Sequence, residues 1–163
     1  VNFNLLYASS LQASGSPNAT NRTTLFSVAG TQGFNQSTYL PILSKTANLF
    51  RAIRPSSVYR ADFRLLYGTP ISATGSPTTL ARTALFGVAG TAGFNQSLYL
   101  PILRNSSILY SRMQRYASAR NTFNSQYGTA LPASGPPTAS NRGVIFNITG
   151  DPSYDAAAFW ASL

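Results

Sequence analysis

Most side chains able to do chemistry in this chain are guanidinium groups. Lysine and arginine number 12 against 3 acidic residues, for a net charge of +9, and Lys45 is the sole lysine. Arginine presents a flat fork of donors that matches carboxylates, phosphates and backbone carbonyls, and it is hydrated less strongly than lysine. Four arginines, Arg104, Arg112, Arg115 and Arg120, share one sector about 160° wide if a helix through 104–120 turns at about 100° per residue. No acid interrupts that stretch. It is expected to be a contact face for nucleic acid, another polyanion or an acidic protein surface, with an ordinary solvated face as the competing reading. Arg22, Arg82 and Arg142 differ in kind. Each sits in an otherwise apolar segment, where a guanidinium is expected to make a structural contact with backbone carbonyls of a neighbouring loop or module. Trp160 is expected to anchor on a partner or to cap the fold.

Other reactive groups are scarce. Histidine and cysteine are absent, and so is glutamate. A hydrolytic triad therefore lacks its base, and zinc, copper, iron–sulfur and haem sites lack their usual ligands. Ser44-Lys45 is not spaced as a Ser-x-x-Lys nucleophile, and no glycine-rich loop ends in lysine. Gly30 to Gly33 and Gly90 to Gly93 share only their spacing with an RNA-clamping loop. Asp151 and Asp155 stand four apart; such a pair could hold calcium or move a proton, but its expected role is to favour a terminal helix at its positive end. The expectation is a protein without catalytic residues, metal or cofactor.

The elements that must position these residues repeat. GFNQSTYLPIL at 33–43 returns as GFNQSLYLPIL at 93–103, so residue 33 maps to residue 93 at an offset of 60. Phe3, Phe63 and Phe123 share that phase, as do Tyr7, Tyr67 and Tyr127; Arg22, Arg82 and Arg142; and Phe26, Phe86 and Phe146. A period of this length marks an array of supersecondary units that shield one another's apolar faces. The modules expected are 1–60, 61–120 and a truncated 121–163, in one continuous array.

Each module opens on a Gly/Ser/Pro-rich loop. Ser16-Pro17 and Ser76-Pro77 then read as helix starts, and Gly90 as a C-terminal cap. This predicts short helices at 17–29, 77–89 and 137–149, with short strands at 24–29, 84–89 and 144–149 as the alternative. Next, Tyr99, Ile102, Leu103, Leu109, Tyr110, Met113 and Tyr116 follow steps of three and four, which predicts an amphipathic helix running on through Phe123 to Tyr127. In the first module Pro55 should break the equivalent helix, with Ser56 or Ser57 as a fresh cap. In the third, the helix is cut short at YDAAAFWASL. The fold class is mainly α. Helix promoters such as Glu and Lys are nearly missing, so stability must come from packing against sister modules or a partner.

No apolar run is long enough for a membrane-spanning helix. The chain opens on Val1, as expected of a processed product or a fragment. Asn18, Asn21, Asn35, Asn95, Asn105 and Asn147 each begin an N-x-Ser/Thr sequon, open to glycosylation in a secretory setting. The overall texture is rich in Asn, Ser, Thr, Gly and Pro, with 9 Tyr and 10 Phe and few charges. It is similar to that of minor structural or cement proteins of large virus particles. That resemblance implies a non-enzymatic structural protein bridging subunits of a larger assembly, a minor capsid protein of a virion being the example it suggests. The alternatives are a basic polyanion-binding module and a secreted glycosylated binding protein. The expected partners are capsid or lattice proteins, or else nucleic acid or an acidic surface; the expected location is a virion or the extracellular space.

Overall fold

The computed structural model describes every residue from Val1 to Leu163 and contains nine helices and no strand. They are α1 (Asn2–Tyr7), α2 (Ala19–Ala29), α3 (Gln36–Ile53), α4 (Ser57–Tyr67), α5 (Thr79–Ala89), α6 (Gln96–Arg115), α7 (Ala117–Tyr127), α8 (Ala139–Thr149) and α9 (Ala156–Ala161). The chain is mainly α, and the strand alternative at 24–29, 84–89 and 144–149 is overturned. Those residues form the later turns of α2, α5 and α8.

Local chemistry explains the choice. Asn18, Thr78 and Thr138 take extended backbone, and their side-chain oxygens accept from the amides of Asn21, Ala81 and Asn141 at 2.8, 3.2 and 3.1 Å. Each satisfies an orphan donor at a helix start. Asn18 and Thr78 follow directly on the Ser-Pro pairs read from sequence, so Pro17 and Pro77 precede the helices rather than opening them. At the far ends Gly30, Gly90 and Gly150 keep right-handed backbone, with φ of −80°, −79° and −79°. Glycine is needed there for room, because a Cβ would lie 2.8 Å from the carbonyl oxygen four residues earlier.

The long second helix also differs from its sequence reading. It does not continue to Tyr127. Tyr116 adopts φ −119° and ψ 119° and separates α6 from α7. The first module breaks at the same phase, between α3 and α4. Proline is therefore not required for the interruption.

Two compact units emerge, each assembled from two stretches of chain. One comprises Val1–Ser57 and Ile71–Phe94, the other Val58–Pro70 and Asn95–Leu163. In the first, α3 packs on α1 and α5 around Leu6, Ala47, Leu49, Phe50, Ile53 and Leu85, all almost wholly removed from solvent. In the second, α6 packs on α7 and α8 around Leu103, Tyr110, Met113, Phe123 and Ile145, with Phe63 and Leu66 of α4 equally buried. Each large apolar side chain so enclosed contributes about 1.5–3 kcal/mol, which offsets weak intrinsic helix propensity. The loop before α8 is tied down by Tyr110, whose hydroxyl donates to the Gly135 carbonyl at 2.8 Å, and by Gln114, whose Nε2 reaches the same oxygen at 2.8 Å.

Candidate functional site

The in-phase arginines and tyrosines meet in a recurring seat. In the first unit Tyr7 ends α1 and Tyr39 lies in the first turn of α3, with their hydroxyls 3.1 Å apart. Arg82 of α5 places its guanidinium 4.2 Å from the centre of the Tyr7 ring and donates to the Leu6 carbonyl at 3.3 Å. Phe86, one turn further along α5, lies 6.2 Å from Tyr7 and 6.0 Å from Tyr39. The second unit holds the same contacts. Tyr67 and Tyr99 are 3.0 Å apart at their hydroxyls, Arg142 sits 4.3 Å over Tyr67 and donates to Leu66 at 3.1 Å, and Phe146 lies 6.2 and 6.0 Å from the two rings.

Helix geometry dictates this arrangement. Phe3 and Tyr7, like Phe63 and Tyr67, are four residues apart and stack at 4.6 and 4.4 Å. Arg82 and Phe86 are likewise four apart, so both leave the same face of α5. The Leu6 and Leu66 carbonyls belong to the last turns of α1 and α4, where no intrahelical donor remains and the helix dipole is negative. A cation stacked on a ring and bonded to such a carbonyl is satisfied twice. Burial raises the Tyr67 and Tyr99 phenols above their usual pKa, against the pull of Arg142. Burial, reinforced by the bond to Tyr7, does the same to Tyr39. These hydroxyls stay protonated and act as fixed hydrogen-bonding groups.

Arg22 is placed differently from its two counterparts. It lies on an exposed face of α2, and Phe26 beside it is 70% exposed. Trp160 of α9 sits under the Arg112 guanidinium at 3.9 Å and edge-on to Tyr116 at 5.8 Å.

The remaining basic residues do not form one uninterrupted helical stripe, because the helix ends at Arg115 and Arg120 belongs to α7. Arg120 turns back to donate to the Gln114 carbonyl at the end of α6. Arg104 pairs at 2.9 Å with Asp62, an acid brought in from α4. Arg104, Arg112 and Arg115 line one cleft of about 490 Å³ together with Asp62. Arg115 is exposed.

Asp155 caps α9 by accepting from the Ala158 amide at 2.8 Å, and Asp151 accepts from the amide and hydroxyl of Ser153 at 2.9 and 2.7 Å. Those Ser153 bonds hold the Asp151 carboxyl below its usual pKa. Both aspartates border a cleft of about 680 Å³ that also includes Tyr127, Tyr154 and Phe159. No group of three or more metal-ligating side chains is assembled. Among the sequons, Asn21 is buried and accepts from the Ser9 hydroxyl at 2.7 Å, which leaves it no room for a glycan.

The tyrosine pairs and the Asp62–Arg104 bridge were missed in the sequence. The signal for the pairs was present: Tyr7 with Tyr39, and Tyr67 with Tyr99, keep one phase and one separation of 32 residues. Nothing in the linear order ties Asp62 to Arg104. No helix is long and apolar enough to cross a membrane. No protein-family model, curated protein or solved structure matches the chain.

Proposed function

We propose that this chain is a non-enzymatic structural protein that bridges or cements subunits of a larger assembly, its tandem modules serving as successive contact points. One contrast supports the reading. The buried polar chemistry is committed to holding helices together, as in the two arginine–tyrosine seats. Large apolar side chains meanwhile stand in solvent: Phe26 at 70%, Leu80 at 76% and Leu98 at 64% exposure. Exposed aromatic and aliphatic groups among scattered arginines are the composition of protein contact surfaces. The compositional likeness to cement proteins makes a virus particle the first place to seek the partner lattice.

Cross-linking of native assemblies followed by mass spectrometry tests the proposal. The expected result is this chain at fixed stoichiometry in a regular assembly, with cross-links near the exposed faces of α2, α5 and α6. Recovery of the chain only in complexes with nucleic acid, dissolving steeply between about 50 and 200 mM salt, would overturn it. That outcome would favour polyanion binding, whose one supporting observation is the cleft shared by Arg104, Arg112 and Arg115.

A further inference from the structure

We infer that copies of this chain join head to tail, the Arg22–Phe26 face of one entering the Tyr127–Phe159 cleft of the next. The inference rests on the assembly reading above and names one contact that such an assembly would use. Helices α2, α5 and α8 all carry arginine and phenylalanine four residues apart. Two of these pairs are seated within the chain, Arg82/Phe86 on Tyr7 and Tyr39, and Arg142/Phe146 on Tyr67 and Tyr99. The third pair has an exposed arginine and a phenylalanine left 70% in solvent.

The chain also holds a seat without an occupant. Tyr127 follows Tyr7 and Tyr67 in phase, and Phe159 follows Tyr39 and Tyr99. They border the open cleft of about 680 Å³, and Tyr127 is 38% exposed. The framework of this cleft is already built. Phe123 lies 4.7 Å from Tyr127, as Phe3 lies 4.6 Å from Tyr7. Tyr154 lies 6.2 Å from Phe159, as Phe34 lies 5.5 Å from Tyr39. Gln126, the counterpart of Leu6 and Leu66, is the penultimate residue of its helix and offers its carbonyl at the same phase.

Differences between this seat and the filled ones fit an arriving copy. Asp151 and Asp155 line it where the first module has Thr31 and Asn35, so two of the chain's three acids face the place an arginine would enter. That is charge complementarity toward Arg22, and it guides encounter as well as register. Ser125 and Gln126 replace Leu65 and Leu66 and are exposed. Polar groups there keep the open seat wet in the free chain, so association is reversible. The contact uses different surfaces on its two sides, leaving each copy one free end, and growth continues into a ring or a filament.

Sedimentation velocity on the 163-residue chain over a concentration series tests the inference. Arg22→Ala/Phe26→Ala removes the knob and Ala158→Arg blocks the seat; all three positions are exposed, and circular dichroism verifies that both variants stay helical. The wild-type mass should rise with concentration. Each variant alone should lose roughly tenfold or more in self-affinity, the loss expected on truncating or obstructing an aromatic anchor. An equimolar mixture of the two should form a dimer and stop, since each supplies one working surface. A wild-type chain monomeric at every concentration, or association indifferent to both variants, would overturn the inference. A monomeric chain that is nonetheless found within a regular native assembly would sink this contact and leave the assembly proposal standing.

Discussion

Arg142 stacks on Tyr67 at 4.3 Å and donates to the carbonyl of Leu66, 76 residues earlier in the chain. One side chain thus closes the end of α4 and fastens α8 to it. Arg82 performs the same double task for α1 and α5. Replacing Arg142 by alanine should cost about 2–3 kcal/mol, the sum expected of a charged hydrogen bond and a partly buried cation–π contact. Lysine should recover little of it, because an ammonium cannot stack flat on the ring. Arg22→Ala, in contrast, should stay within about 0.5 kcal/mol in dilute solution. Urea unfolding of the three variants checks the ranking.

The Asp62–Arg104 bridge should respond unequally to loss of its two partners. The Asp62 side chain is 3% exposed and that of Arg104 is 46% exposed, and Asp62 Oδ2 has no hydrogen-bond partner. Arg104→Ala strands a buried carboxylate and should cost about 2 kcal/mol, less than a fully buried pair would because water reaches the arginine. Asp62→Asn leaves an arginine that water can solvate and should cost less. Equal losses in thermal or urea unfolding would contradict this picture.

Alkaline pH should unfold the protein through its tyrosines. Burial pushes Tyr110 up to about 12 and raises Tyr39, Tyr67 and Tyr99 as well. The unfolded phenol titrates near about 10, so the folded state holds the proton more tightly than the unfolded chain. Stability from these groups is complete below about 10 and is lost as pH rises through the folded values. Phenolate absorbance from these buried tyrosines should appear together with loss of helical ellipticity, and its appearance while the helices stay intact would contradict the link.

The Gly135 carbonyl accepts from both Tyr110 and Gln114. Tyr110→Phe and Gln114→Leu should each cost about 0.5–1 kcal/mol, since either single change leaves one donor in place. The double variant should lose more than their sum, because only then is the carbonyl without either side-chain donor. A double-mutant cycle by urea unfolding measures the excess.

The helical class was readable because Tyr99, Ile102, Leu103, Leu109, Tyr110 and Met113 follow helical steps, and the last four of these are buried on α6. The short helices were harder. Runs such as LFGVAG suit a strand equally well, and the decision rests on Asn18, Thr78 and Thr138, caps easily overlooked beside the louder Ser-Pro pairs. The break at Tyr116 was illegible, since nothing local forbids the helix from continuing through it. At the candidate site, phase singled out Arg22, Arg82 and Arg142 without naming the ring partners of Arg82 and Arg142 or showing that Arg22 stands apart. Those partners come from helices widely separated in sequence, and pairing at that distance is set by packing rather than by local preference.

Both compact units are discontinuous: the first needs Ile71–Phe94 to complete it, and the second needs Val58–Pro70. On the ribosome the opening helices must therefore wait, part of their apolar surface uncovered, until α5 has left the exit tunnel. Loop closure across such distances is slow, so this interval is when the nascent polypeptide is most prone to mispair or to recruit a chaperone. Cutting a gene at the 60-residue boundaries would yield fragments holding incomplete pieces of each unit. A recombinant truncation respecting the fold would instead run from Val1 through Phe94, carrying α4 along as an unpartnered passenger.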